Sequence, residues 1–235
     1  MAETAHSTAT LRLTVGDLRI VHPITVPAAA VAAVDVLPAL QGLVNAVVDS
    51  AEAGLMKSGG AISCRKGCGA CCRQLVPVSR TEGERLVALV AAMPPERRER
   101  LHVRFAAAAA AIEGAGLARR GDRTDRELSM AYFALGIACP FLEDESCSIH
   151  PDRPLVCREY LVTSPAELCA GPAQEGVTPV AVPKVSLAAR GLQEKNEDWF
   201  ALALLMKWAR TRPRGGKRRT GPEWVQRFLK GLAPK

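Results

Sequence analysis

The sequence predicts a mainly α-helical protein with small β elements: a helical domain built around a cysteine-ligated metal centre, preceded by an N-terminal β-hairpin. Three observations predict it. Apolar residues recur at spacings of three and four in several stretches. Hydrophobic residues make up 48 % of the chain, much of it alanine, whereas aromatics are only 4 %, which suits helices and not a large all-β sandwich. Eight cysteines fall mostly into two dense groups. The 235 residues suffice for a real core. The expected division is a hairpin extension over 1–34, a cysteine-cluster metal-binding domain over 35–205, and a basic C-terminal segment with a short helix over 206–235.

Taken in order, Thr10 to Val15 alternates apolar and polar residues, Gly16-Asp17 follows, and Leu18 to His22 completes a β-hairpin. Pro23 and Pro27 are expected to end it, leaving it as an edge decoration on the helical body. Val36, Leu37, Leu40, Leu43, Val44, Val47 and Val48 line one face of a helix from about Pro38 to Met56, with Pro38 in its first turn and Ser58-Gly59-Gly60 as its stop. Ser79 and Glu82 form a capping box for the next helix. Pro94-Pro95 breaks that one and opens another, from about Glu96 to Glu113. A further helix is expected from Thr124 to Leu135. Glu175 to Pro183 reads as loop or short strand, Asn196 to Arg210 as a helix, and Gly221-Pro222 precedes a short final helix in which Trp224, Val225 and Phe228 are core candidates.

Charge is concentrated late in the chain. Lys207, Arg210, Arg212, Arg214, Lys217, Arg218 and Arg219 carry seven positive charges with no acidic residue among them, equal to the whole net charge of +7. Such a segment suits an acidic protein, an anionic membrane surface or nucleic acid, or else a solvated, partly disordered tail. The scarcity of aromatics argues against single-stranded nucleic-acid binding by base stacking. The first residues lack the pattern of a secretory signal, and no run of about 18 apolar residues occurs. The reading is therefore a cytoplasmic protein without a transmembrane segment. In that reducing setting, clustered cysteines bind metal more often than they pair.

The first group is Cys64-x3-Cys68-x2-Cys71-Cys72; the second is Cys139-x7-Cys147-x9-Cys157, with Cys169 following. All eight are candidate metal ligands, because thiolates are soft anionic donors suited to zinc and to iron–sulfur clusters. Gly67 and Gly69 permit a tight turn and close approach of backbone N–H groups to sulfur. Arg65, Lys66, Arg73, Arg153 and Arg158 are interleaved with the cysteines, as compensating cations or as surface charges. Cys71 and Cys72 are neighbours, whose side chains diverge unless the backbone turns sharply. A tight hairpin around Glu143 to Ser146 would pair Leu142 with Cys147, and Cys139 must then lie just outside the ladder to share a metal with Cys147. Asp152 and Pro154 would open a short helix bearing Cys157. His150 is a candidate nitrogen ligand or a hydrogen-bonding residue.

The Cys64, Cys68, Cys71 spacing is that of radical S-adenosylmethionine enzymes, but the chain lacks their alternating strand–helix barrel pattern. Both groups together, with Cys139-Pro140-Phe141-Leu142, Cys147-Ser148-Ile149-His150 and Arg153-Pro154 before Cys157-Arg158, resemble the YkgJ-type cysteine-cluster family over about residues 62–160. That is a zinc- or iron-chelating domain also found in flagellin lysine N-methylases. His150 stands where the family commonly has tyrosine. The resemblance implies bound zinc or an iron–sulfur cluster and, through the longer flagellin-methylating members, a [4Fe-4S] cluster with methyl transfer from S-adenosylmethionine. No glycine-rich nucleotide loop is apparent here. Three functions stay open: a metal-binding protein of unassigned role with a composite iron–sulfur or zinc site, an iron–sulfur-dependent protein-modifying enzyme such as a lysine methyltransferase, and a structural-zinc interaction module.

Overall fold

An antiparallel ribbon opens the computed structural model, which describes residues 5–119, 121–171, 175–194, 199–212 and 215–232. Strands β1 (His6–Val15) and β2 (Leu18–Pro27) pair with Leu13 opposite Ile20 and Val15 opposite Leu18. Gly16, at φ 57°, takes the first of the two loop positions, where tight hairpin turns need a positive φ. Pro23 does not end β2; it stands opposite Thr10 within the ladder. Each strand of a two-stranded ribbon keeps a free edge, where a missing N–H costs no ladder bond. Nor is the ribbon a decoration: Ile20, Ile24 and Val26, alternating along β2, are buried in the main core.

Strand β3 (Ala30–Val31) follows, and then helix α1 (Ala33–Lys57). The helix begins five residues before Pro38, because the Asp35 carboxylate accepts the Ala32 N–H at 2.9 Å and nucleates the first turn upstream. Pro38 therefore lies inside the helix. At the other end Gly59 and Gly60 donate to the carbonyls of Met56 and Leu55, both at 3.0 Å, a Schellman stop. The buried face of α1 runs from Val36 to Ala51.

The remaining elements are β4 (Pro77–Val78), α2 (Arg80–Ala91), α3 (Pro95–Gly114), α4 (Asp125–Ala134), β5 (Leu142–Glu143), β6 (Ser146–Cys147), α5 (Leu155–Glu159), β7 (Phe200–Ala201), α6 (Leu205–Thr211), β8 (Arg219–Thr220) and α7 (Gly221–Lys230). Helices α2 and α4 start at capping boxes, Ser79 with Glu82 and Thr124 with Glu127. The expected helix over Asn196 to Arg210 is shorter. Residues 195–198 lie outside the described residues, and Phe200–Ala201 pairs as β7 with β4, so helix begins only at Leu205. The strand pairing satisfies backbone groups that a helix would otherwise have used. Glu175 to Pro183 is loop, touched by a single bridge between Val162 and Pro179.

Two apolar clusters matter for the site. The first joins β2 and α1 to the end of the chain through Trp224, Val225 and Phe228 of α7. The Trp224 indole N–H also donates to the Val31 carbonyl at 3.0 Å. The second unites Val78, Leu86, Val90, Leu101 and Phe105 with Phe141 and Ile149, which flank Cys139 and Cys147. There Phe105 meets Phe141 edge-on, with ring centroids 5.3 Å apart. The basic segment is largely engaged within the chain. Lys207 pairs with Glu113, Lys217 and Arg219 pair with Glu194, and Arg218 donates to the Ala30 carbonyl. Arg214 lies outside the described residues. Among the described residues no helix is long and apolar enough to cross a membrane.

Candidate metal centre

The first cysteine group sits in a loop pinned at its start. Ser63 donates its N–H to the Val162 carbonyl and its hydroxyl to the Thr163 carbonyl, both at 2.9 Å. Two turns follow, closed by Cys68 N–H to Arg65 O and by Cys72 N–H to Gly69 O. Residues Ala70–Arg73 form a 3-10 turn. This is the sharp turn that neighbouring cysteines need, and both Cys71 and Cys72 face one cavity. Their side chains lie close enough to influence each other's ionisation.

The second group is built on the short β5–β6 hairpin, with Leu142 opposite Cys147 as its spacing requires. The turn residues Asp144 and Glu145 hold φ of 48° and 53°, an uncommon conformation for residues with side chains. Cys139 lies just outside the ladder, and its N–H donates to the Cys72 carbonyl at 2.7 Å. That bond ties the two groups together directly. Two more clamps reinforce it. Gly67 N–H donates to Ser146 Oγ at 3.1 Å. The Arg73 guanidinium grips both oxygens of Glu145, at 2.7 and 3.0 Å, and donates to the Gly69 carbonyl at 2.9 Å. Gly69 packs tightly here: a Cβ would stand 2.5 Å from Glu145 Oε2 and 2.8 Å from Leu142 Cδ1, so both side-chain ends would have to shift to admit one.

Cys157 reaches the site on α5, but Asp152 does not cap that helix. Asp152 pairs instead with Arg85 at 2.9 Å. The cap comes from α2: Glu82, only 2 % exposed, accepts the Leu155 N–H on Oε1 at 2.9 Å while Oε2 accepts from Ser79 N–H and Oγ. One buried carboxylate thus starts two helices. Burial raises its pKa, and the hydrogen bonds from Ser79 and Leu155 oppose that rise. Arg158, beside Cys157, does not point at the thiols; it holds the Asn45 side chain and the Pro151 and Arg153 carbonyls. Burial lowers its pKa to about 10.

A cavity of about 660 Å³ opens between the groups, lined by Cys64, Cys68, Cys71, Cys72, Cys139, Cys147 and Cys157. Arg65, Lys66, Arg153 and His150 line it as well. Cys169 is buried, 3 % exposed, in the 3-10 turn Ala166–Ala170 beside Tyr160, and is not part of the lining. Five of the lining thiols resist ionisation. Burial pushes Cys139 up to about 12 and raises Cys64, Cys147 and Cys157. Cys71 is raised first by the neighbouring Cys72 thiol and then by burial. Burial and the nearby Arg153 and Arg158 lower the pKa of His150. Among the described residues no three His, Cys, Asp or Glu side chains converge on a single ion position. The donor set suits soft metals all the same, because buried thiols give up protons readily only to a bound cation.

Sequence reasoning reached seven cysteines that share this cavity but missed the second role of Glu82, whose only signal was a capping box. It also missed Gln74 and Tyr160, which line the cavity and sit in no recognisable motif. Residues 63–175 match a family model described as "CxxCxxCC: Putative zinc- or iron-chelating domain", the cysteine-cluster family that the motifs resemble. No curated protein and no solved structure matches the chain.

Proposed function

We propose, taking the zinc- or iron-chelating domain of residues 63–175 as premise, that the chain holds one composite metal centre drawn from both cysteine groups. Its ligands come from Cys64, Cys68, Cys71, Cys72, Cys139, Cys147 and Cys157. Cys169, buried beside Tyr160 and outside the lining, is left out of this set. The observation that carries the reading is the single cavity lined by these seven cysteines. Their joint presence there depends on direct bonds between the groups, above all Cys139 N–H to Cys72 O.

The centre is more than one mononuclear zinc. A tetrahedral zinc uses four thiolates, and seven cysteines ring this cavity. An iron–sulfur cluster, such as a [4Fe-4S] cluster, accounts for a wider cage, with further thiols left for a second ion or for exchange. Such a cluster supplies electron transfer or an open iron site. The protein contributes the burial, the backbone N–H groups near sulfur and the surrounding cations that tune it.

A second reading follows from the size of the cavity. A closed structural site needs no such space, whereas an iron–sulfur-dependent protein-modifying enzyme, such as a lysine methyltransferase, would place a reacting group there. The structural-zinc module, with an acidic partner on the basic segment, gains less support, since several of that segment's cations are paired within the chain.

Anaerobic purification with iron, zinc and acid-labile sulfide analysis tests the reading. Broad absorption near ~400 nm with bound iron and sulfide is expected for thiolate-ligated clusters. Colourless protein with stoichiometric zinc would sink the cluster version, and protein that takes up neither metal would sink the composite centre.

A further inference from the structure

The N-terminal ribbon has two outer edges, and they are built differently. The Ala28 N–H donates to the Ala5 carbonyl at 2.8 Å, which fixes the parity of the ladder. In steps of two along the register, Ser7, Ala9, Leu11, Leu13 and Val15 exchange backbone hydrogen bonds with β2. His6, Thr8, Thr10, Arg12 and Thr14 therefore turn their N–H and C=O groups to the outside of β1. Arg19, Val21, Pro23, Thr25 and Pro27 stand at the matching positions on the outside of β2.

Two of those β2 positions are prolines, with no N–H to offer another strand. The β1 edge has no such device. It runs for 10 residues, where strands commonly have ~5–6. It holds no proline, glycine or lysine, and its register with β2 is unbroken by a bulge. Edges are ordinarily blunted by such features, because their unpaired backbone groups template pairing with another chain. Among the described residues β1 pairs with β2 alone, and no other segment makes a backbone hydrogen bond to its five outward residues. The strand is nonetheless anchored: Leu11, Leu13 and Val15 pack on the main core, while Thr8, Thr10, Arg12 and Thr14 are exposed.

We propose that β1 is a dimerisation edge, pairing antiparallel with β1 of a second copy about a two-fold axis through Thr10. That register uses every outward group of both strands. Thr10 meets Thr10, Thr8 of one protomer meets Arg12 of its partner, and His6 meets Thr14, each pair exchanging two backbone bonds. The one permanent charge on each edge, Arg12, falls opposite an uncharged threonine; an axis through Arg12 would set like charges face to face. Threonine hydroxyls already bond across the ribbon, Thr8 with Thr25 at 2.9 Å, and Thr10 with Thr10 continues that row. The resulting four-stranded sheet ends on both sides in β2 edges carrying Pro23 and Pro27, so growth stops at two chains. Self-complementary charge and this closure together favour a second copy over a foreign strand. The inference is independent of the composite metal centre.

The test is sedimentation equilibrium of the full chain under reducing conditions, over a concentration series from micromolar to submillimolar, with amide hydrogen exchange on the same samples. A dimer forms, and the N–H groups of Thr8, Thr10, Arg12 and Thr14 gain protection as concentration rises. Those of Leu11 and Leu13, already bonded to β2, are protected at every concentration. Thr10→Pro deletes an N–H that β2 does not use, so the ribbon keeps its own ladder while dimerisation weakens by about tenfold or more. Thr10→Lys sets two ammonium groups opposite each other, weakens the dimer most at low salt, and provides the reading if Thr10→Pro does not fold. A chain that stays monomeric throughout overturns the proposal. So does a dimer that neither variant weakens, or one in which the outward β1 amides stay unprotected, because the contact then lies elsewhere. Species larger than a dimer overturn it as well, since the proline edges would not have ended the sheet.

Discussion

The two halves of this molecule are held together by different means. The β2–α1–α7 half is a dry apolar core in which Leu40, Leu43, Val44 and Phe228 are fully buried. The cysteine half encloses a cavity, and its walls meet through single polar clamps: Cys139 to Cys72, Gly67 to Ser146, Arg73 to Glu145, and Glu82 to Leu155. The difference teaches where folding energy and chemistry reside. Burying each large apolar side chain stabilises by about 1.5–3 kcal/mol, so the first half can order itself on burial alone. The second half sacrifices packing for space and leaves its final stabilisation to whatever the thiols bind.

Metal should therefore matter chiefly to the cysteine half, and the largest expected effect is on that half. Removing bound metal, or replacing Cys68 or Cys157 with Ala, should lower metal content and stability together. Thiolate–metal bonds can contribute on the order of 10 kcal/mol of coupled folding energy. Hydrogen exchange should show the loss in residues 64–72 and 139–157 while α1 stays protected. Full metal occupancy in both variants would falsify a shared site. Proton competition adds a pH signature. The raised thiol pKa values mean that binding must release protons, so apparent affinity should rise as pH increases from about 6 to 8.

The converse perturbation comes next in size. Trp224→Ala removes a 2 % exposed ring and its hydrogen bond to Val31, and should cost about 3–5 kcal/mol in denaturant unfolding. Metal stoichiometry of the folded fraction should not change. Equal losses of metal and stability here would show that the two halves are not separable.

The dry half was legible in the sequence because its signal is local and periodic. The three-and-four spacing from Val36 to Val48 and the Gly16-Asp17 turn each fixed an element without knowledge of the rest. The exceptions were decided by partners. Pro23 stays in a strand because that strand has a free edge, and Phe200 leaves the expected helix because Pro77–Val78 supplies a ladder. In the cysteine half, side-chain type was legible and geometry was not. That two distant groups face one cavity follows from clamps whose partners lie up to 79 residues apart. No spacing rule could assign Glu82 to the start of α5, because a capping box announces only its own helix.

Glu82 lies on the border between the halves and should give an intermediate effect. Glu82→Gln turns an acceptor towards a backbone donor into a donor, leaving a buried group unpaired, and should cost about 1–3 kcal/mol. The pH dependence gives the sign. Burial raises the folded pKa of Glu82, so its contribution is fully present below the ordinary carboxylate pKa of about 4.3 and is lost as pH rises through the raised value. The penalty for Glu82→Gln should therefore be larger in mild acid than at neutral pH. A penalty that grows towards neutral pH would mean that the three hydrogen bonds outweigh desolvation and stabilise the anion.

The smallest effect should come from the clamp that looks strongest on geometry. Arg73 binds both Glu145 oxygens, but the two side chains are 32 % and 52 % exposed, where ion pairs contribute little. The salt bridge also holds Glu145 at φ 53°, a conformation that glycine and asparagine adopt more easily. Glu145→Gln keeps the strain and loses the bridge, so it should destabilise slightly. Glu145→Gly loses the bridge and relieves the strain, so it should match or exceed Glu145→Gln in melting temperature. The bridge then serves register and not stability: it fixes Gly69 against the β5–β6 turn, so metal affinity should fall in both variants even where the melting temperature of the metal-free chain does not. A Glu145→Gly variant with unchanged metal affinity would show that the Cys139–Cys72 bond alone aligns the two cysteine groups.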